Sequence, residues 1–135
     1  MITFTVPGKP QPKERPRVTK RGITYTPKET LLYEAQVAEA AQKSELLPQS
    51  PTENPLKLIL WCYMPIPKSW SKGKQEQARR GKIYPTSRPD IDNLAKIVMD
   101  ALNGIAYKDD AQIIELVIHK NYSDEPRMEV LIDEI

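Results

Sequence analysis

One cysteine, one histidine, one phenylalanine and five glycines stand among 135 residues, and each scarcity closes off a chemistry. The single cysteine, Cys62, excludes a disulfide framework and points to a reducing cytoplasm. It lies inside an apolar run, far along the chain from the only histidine, so it reads as a buried, inert thiol rather than a nucleophile. His119 falls in a strand pattern in phase with Ile113, Glu115 and Val117 and reads as structural. No glycine stands in a G-x-x-x-x-G-K frame, which removes a phosphate-cradling loop. Serine and histidine are both present, but no nucleophile elbow marks a hydrolytic triad. The longest apolar run, Leu58 to Met64, is far shorter than the ~20 residues a bilayer needs. Met1 to Pro7 lacks the charged start and long apolar run of a signal peptide. Internal repeats, low-complexity tracts and heptads are also missing. The expectation is a soluble, cytoplasmic protein of one domain, residues 1–135, large enough to bury a core without covalent staples.

Charge is what the sequence does have, unevenly placed beneath a net +2. Residues 9–22 carry Lys9, Lys13, Arg15, Arg17, Lys20 and Arg21 against Glu14 alone. Residues 68–88 carry Lys68, Lys72, Lys74, Arg79, Arg80, Lys82 and Arg88 against Glu76 alone. From Pro89 onward, eleven acids face four bases. Two basic flanks and an acidic final third suit a protein that holds phosphates and brings a cation to one of them. A basic run is also what an ordinary solvated surface loop looks like. The proline-stiffened stretch from Pro7 to about Tyr25 is preferred as a phosphate-contacting arm because the candidate site is acidic.

In chain order, Ile2 to Val6 alternates like a strand. Thr26-Pro27-Lys28-Glu29 predicts a helix with Thr26 as N-cap and Pro27 first inside, running to about Ser44. Its expected buried face is Tyr33, Val37, Ala40 and Ala41, with Glu34 and Glu39 toward solvent. Leu46 to Asn54 reads as a linker. Lys57 to Met64 is a strand apolar on both faces, either covered on both sides or using one side in a dimer. A short helix follows through about Arg80, beside which Trp70 is either a packing anchor, the favoured reading, or a base-stacking platform. Ile113 to Tyr122 and Met128 to Ile132 predict a β-hairpin turning at 123–126. The elements add up to a small α+β domain with about four strands and helices packed on the sheet.

The most informative stretch is residues 88–112. Pro89 disfavours helix at Arg88, Asp90 is a good N-cap, and apolar residues at 91, 94, 95, 98, 101 and 102 mark one helical face. Asn103-Gly104 supplies a left-handed stop. Asp92 and Lys96 fall on a ridge beside the apolar stripe. Asp109 and Asp110 follow before a strand, where a fold-back would bring them near the first pair. Singly, these residues are ordinary capping and surface decoration. Together, converging carboxylates with a lysine suit a hard divalent cation that lowers the pKa of water and neutralises phosphoryl charge.

Asp90-Ile91-Asp92-Asn93-Leu94-Ala95-Lys96, Asp100-Ala101-Leu102 and Asp109-Asp110-Ala111-Gln112 together resemble the core of the RusA-type Holliday-junction resolvases of bacteria and their phages. The match is close over 88–113 and order-preserving elsewhere. The resemblance implies that Asp90, Asp92, Lys96 and Asp110 are catalytic. Asp90, Asp92 and Asp110 would hold Mg²⁺ or Mn²⁺, with Asp109 assisting. Lys9, Lys13, Arg15, Arg17, Lys20, Arg21, Lys72, Lys74, Arg79, Arg80 and Arg88 are the expected DNA contacts. It also implies a homodimer acting on a four-way DNA junction, whose two-fold symmetry asks for two equivalent sites. Two competing readings stay open: a metal-dependent nucleotide phosphohydrolase, and a junction-binding module without catalysis.

Overall fold

Apolar residues alternating with threonine make Ile2–Pro7 a strand, β1, whose Ile2 and Val6 are buried while Thr3 and Thr5 face out. The computed structural model describes all of residues 1–135. The basic stretch beyond β1 is not the unbroken loop that its prolines suggest. It contains a small exposed ribbon, β2 (Arg17–Val18) paired antiparallel with β3 (Thr24–Tyr25). Gly22, at φ +79°, lets the chain reverse between them.

Helix α1 (Lys28–Gln42) begins one residue later than its capping pattern predicts. Pro27 is extended (φ −54°, ψ 143°) and takes the N-cap place itself, so Thr26 lies outside and no side chain caps the turn. The helix buries Thr30, Tyr33, Val37 and Ala41, with Ala40 only half-buried. Strand β4 (Leu56–Pro65) buries every second residue, Leu56, Leu58, Leu60, Cys62 and Met64. Helix α2 (Lys72–Arg79) is capped by Ser71, whose Oγ accepts from the Lys74 N–H at 3.2 Å. Helix α3 (Ile91–Ala101), a 3-10 turn at Asp110–Gln112, β5 (Ile113–Ser123) and β6 (Arg127–Glu134) complete the chain.

The four long strands form one mixed sheet in the order β1-β6-β4-β5. The α+β architecture is as expected, but the hairpin of the last two strands is not. β4 lies between them, parallel to β5 and antiparallel to β6. A strand apolar at nearly every position gains most from a central place, and β4 has that composition. The short Asp124–Pro126 link passes over the end of β4, where Pro65 pairs with Ser123 and Tyr63 with Arg127.

Helices α1 and α3 pack on one another and on one face of the sheet, joining Val37, Leu94, Val98, Leu60 and Val130 in a single core. Burial pushes the Cys62 thiol up to about 12, with Lys120 pulling weakly the other way, so the thiol is inert as expected. On the opposite face Ile59, Trp61 and Tyr63 are only half-buried, so β4 is not covered on both sides. The Arg127 guanidinium lies 4.0 Å from the Tyr63 ring centroid there. Trp70 meets Tyr122 edge-on at 5.3 Å and carries Lys74 over its ring at 4.0 Å, which makes it a packing anchor.

Candidate active site

The start of α3 is held from the sheet. Lys120 of β5 donates to the carbonyls of Ser87 and Pro89, at 2.8 Å each. Asp90 takes the N-cap position (φ −75°, ψ 150°), and its carbonyl accepts from the Leu94 N–H at 3.2 Å. Its carboxylate makes no capping bond, so the residue caps by backbone alone and leaves both side-chain oxygens open. Leu94, Ala95, Ile97, Val98 and Leu102 are buried and anchor the helix, which turns Asp92 and Lys96 outward. Two carboxylates thus stand at the positive end of a helix, where negative charge is favoured.

The basic arm lies across this end. The Lys13 N–H donates to the Asn93 carbonyl at 2.9 Å. A cleft of about 970 Å³ results, in which Lys9, Arg15, Arg17 and Arg88 face Asp90 and Asp92. Lys13 is engaged elsewhere: its ammonium pairs with Glu34 of α1 and, at 3.3 Å, with Asp100 of α3. Burial pulls the Lys13 ammonium down, but these two carboxylates outweigh it and hold it above its ordinary range. Glu34 therefore turns toward the arm, not to solvent as helix periodicity predicts. Lys20 and Arg21 sit exposed between β2 and β3, outside the cleft lining. In and beside α2, Arg79 is bound to Asp124 at 2.8 Å and Arg80 to Glu76 at 3.0 Å. Those two are less free for phosphate than Lys72, which has no ion pair.

The second acidic pair sits at the other end of α3. Gly104, at φ +78°, reverses the chain after the helix as the Asn103-Gly104 pattern predicts. Asn103 has a further job, because its Oδ1 accepts the Asp110 N–H at 2.8 Å. Gln112 pins the same turn. Its Oε1 accepts the Asp109 N–H at 2.8 Å, and its Nε2 donates to the Thr52 and Asn54 carbonyls at 2.9 and 3.0 Å. A hydrogen bond with Asp109, partial burial and the charges of Asp109 and Asp100 raise the Asp110 carboxyl above its usual range. Beneath it Tyr107 is fully buried and donates to the Met99 carbonyl at 2.6 Å.

Asp110 therefore neighbours Asp100, not Asp90 or Asp92. At about 1.5 Å per residue, Asp92 and Asp100 stand roughly 12 Å apart along the helix. No three acidic, histidine or cysteine side chains converge as a metal cage in the single chain. Lys96 lies between the two groups, with its ammonium 3.8 Å from Asp100, one turn ahead.

Compared with known families, residues 7–133 match the model described as Endodeoxyribonuclease RusA. The chain belongs to the RusA family. The matched span takes in the arm, α3 and both acidic groups of the RusA fold. One relative is YqaN of Bacillus subtilis (strain 168), 41% identical over 139 residues, covering 99% of this chain and 96% of that protein. Another is the crossover junction endodeoxyribonuclease rusA of Lactococcus phage r1t, 32% identical over 99 residues and 69% of each chain. Within this RusA domain, sequence reasoning missed Glu34, Asp100, Asn103 and Lys120 as supports of the site. Asp100 stood inside the quoted motifs and Asn103 in the helix stop, which were usable signals; Glu34 and Lys120 had none, because their partners lie far away in sequence.

Proposed function

We propose that this chain is a divalent-cation-dependent endonuclease that cuts four-way DNA junctions as a homodimer. The observation that carries the reading is the cleft in which the unbonded carboxylates of Asp90 and Asp92 face Lys9, Arg15, Arg17 and Arg88. Hard, uncommitted carboxylate oxygens beside phosphate-binding guanidinium groups fit Mg²⁺ or Mn²⁺ in the presence of a DNA strand. A cation held there supplies Lewis-acid stabilisation of phosphoryl charge and a more acidic water.

The chain's own residues do the rest. Asp90 and Asp92, at the start of α3, would hold the cation. Arg15, Arg17 and Arg88 grip phosphates on either side of the scissile bond and orient it. Lys96 brings a mobile positive charge to the same helix face, where charge grows on the phosphate during attack. Asp110, with Asp109 beside it, is fastened to Asn103 at the opposite end of α3 from Asp90 and Asp92. We therefore assign completion of the carboxylate set to a second copy, which also gives a two-fold junction its two sites. The printed name of the phage r1t relative, a crossover junction endodeoxyribonuclease, supports this choice of substrate.

The test is cleavage of a labelled four-way junction with Mg²⁺, beside a linear duplex and a chelator control. Paired symmetric nicks that vanish with chelator and with Asp92→Asn, while binding persists, are expected. Tight binding without nicks would favour a binding module, and neither activity would redirect the search to nucleotides.

A further inference from the structure

Asp100 touches more of the site than its place outside the catalytic set suggests. Its Oδ2 lies 3.3 Å from the Lys13 ammonium and 3.8 Å from that of Lys96. Lys13 is itself stretched along the helix. Its main chain is fastened to Asn93 in the first turn of α3, and its side chain reaches Asp100 in the last. Glu34 of α1 grips the same ammonium, so one lysine joins the arm to both core helices. Lys13 and its two partners are each about three-quarters shielded from water, at 22%, 22% and 25% exposure.

We infer that Asp100 and Glu34 form a carboxylate clamp on Lys13, and that Lys13 is a positioning residue for the arm, not a contact to DNA. With Lys13 held, the bases that follow it, Arg15 and Arg17, are presented to the cleft opposite Asp90 and Asp92. The inference rests on the nuclease reading for its consequence in catalysis, but the clamp itself is a property of the folded chain.

The two roles for Lys13 give effects of opposite sign. Were Lys13 a phosphate contact, Asp100→Asn would release it and tighten junction binding. If it is a clamp, Asp100→Asn frees the arm and slows cleavage. The experiment compares Asp100→Asn, Lys13→Met, their double variant and Lys13→Arg in the full-length protein. The expected result is a kcat about tenfold lower for each single variant with KM little changed, and a double variant no worse than either. Lys13→Arg should recover most of the rate, because a guanidinium can serve both carboxylates. Trypsin should cut after Arg17 several-fold faster in Asp100→Asn and Lys13→Met than in the native chain, whether or not the protein cleaves DNA. Tighter binding by Asp100→Asn, or a salt slope reduced by about one in Lys13→Met, would overturn the inference. If the native chain cuts no junction the nuclease reading fails alone, and unchanged trypsin rates would then sink the clamp separately. Should Asp100→Asn not fold, Glu34→Gln removes the other jaw from the surface of α1 and carries the same expectations.

Discussion

Replacing Gln112 by alanine tests how the second acidic pair is held. The side chain makes three hydrogen bonds, one from the Asp109 N–H and two to the carbonyls of Thr52 and Asn54. Each is worth about 1 kcal/mol net, and because part of the group is wet, water takes over some of the loss. The expected cost is about 1–2 kcal/mol, concentrated in the turn, since the core lies elsewhere. A change of about 1.4 kcal/mol is tenfold in an opening equilibrium, so amide exchange at Lys108 and Asp109 should quicken about tenfold. The midpoint of thermal unfolding should fall by only a few degrees. Junction cleavage should drop about tenfold or more, because Asp110 loses the frame that aims it. Gln112→Glu sharpens the test: it keeps an acceptor for the Asp109 N–H, loses both donors and adds a charge beside Asp110. It should be worse than alanine for cleavage at low Mg²⁺, and partly rescued by high Mg²⁺. Unchanged exchange at Lys108 and Asp109 in Gln112→Ala, with an unchanged Mg²⁺ titration, would refute this account of the turn.

Three further outcomes are expected. Asp110 titrates above its ordinary range, first through its hydrogen bond with Asp109, so as pH rises through that raised range the folded state gives up the proton unwillingly and loses stability. Asp109→Asn should therefore raise the melting temperature by about 1–2 °C at neutral pH, with the gain shrinking as the pH falls below the raised range of Asp110; a lower melting temperature at neutral pH would contradict the like-charge account. Leu60, fully buried in the central strand, should cost about 2–5 kcal/mol when cut to alanine, measured by urea unfolding. The Arg15→Gln, Arg17→Gln double variant should lower the slope of log affinity against log salt by about two, as two lost phosphate contacts require.

What could be read in advance was local. The bounds of α3 follow from Pro89, Asp90 and Gly104, each acting on its own neighbours and each standing where its residue type implies. The family motif names the acidic residues because it is a contiguous pattern. What the sequence reading missed is tertiary. A three-residue link between two alternating segments looks like a hairpin, and only the preference of β4 for the middle of the sheet separates β5 from β6. The gathering of carboxylates was expected from motif order, and motif order does not show that Asp110 shares its surroundings with Asp100. Glu34 looks solvent-facing on a helical wheel, since its partner Lys13 belongs to a loop whose path no periodicity describes. Asp90 shows the limit most plainly: its type suits an N-cap, but the structure spends only its backbone there.

The place of β1 in the sheet also imposes an order on synthesis. Its one hydrogen-bonded neighbour is β6, with Ile2 opposite Ile132 and Val6 opposite Met128. During synthesis β1 thus waits for β6, which at about 5–20 residues per second is on the order of ten seconds. During that interval the nascent chain carries its basic arm and both core helices, but no finished sheet against which they can be set. Until β6 stands between β1 and β4, the sheet that carries both helices is in two pieces.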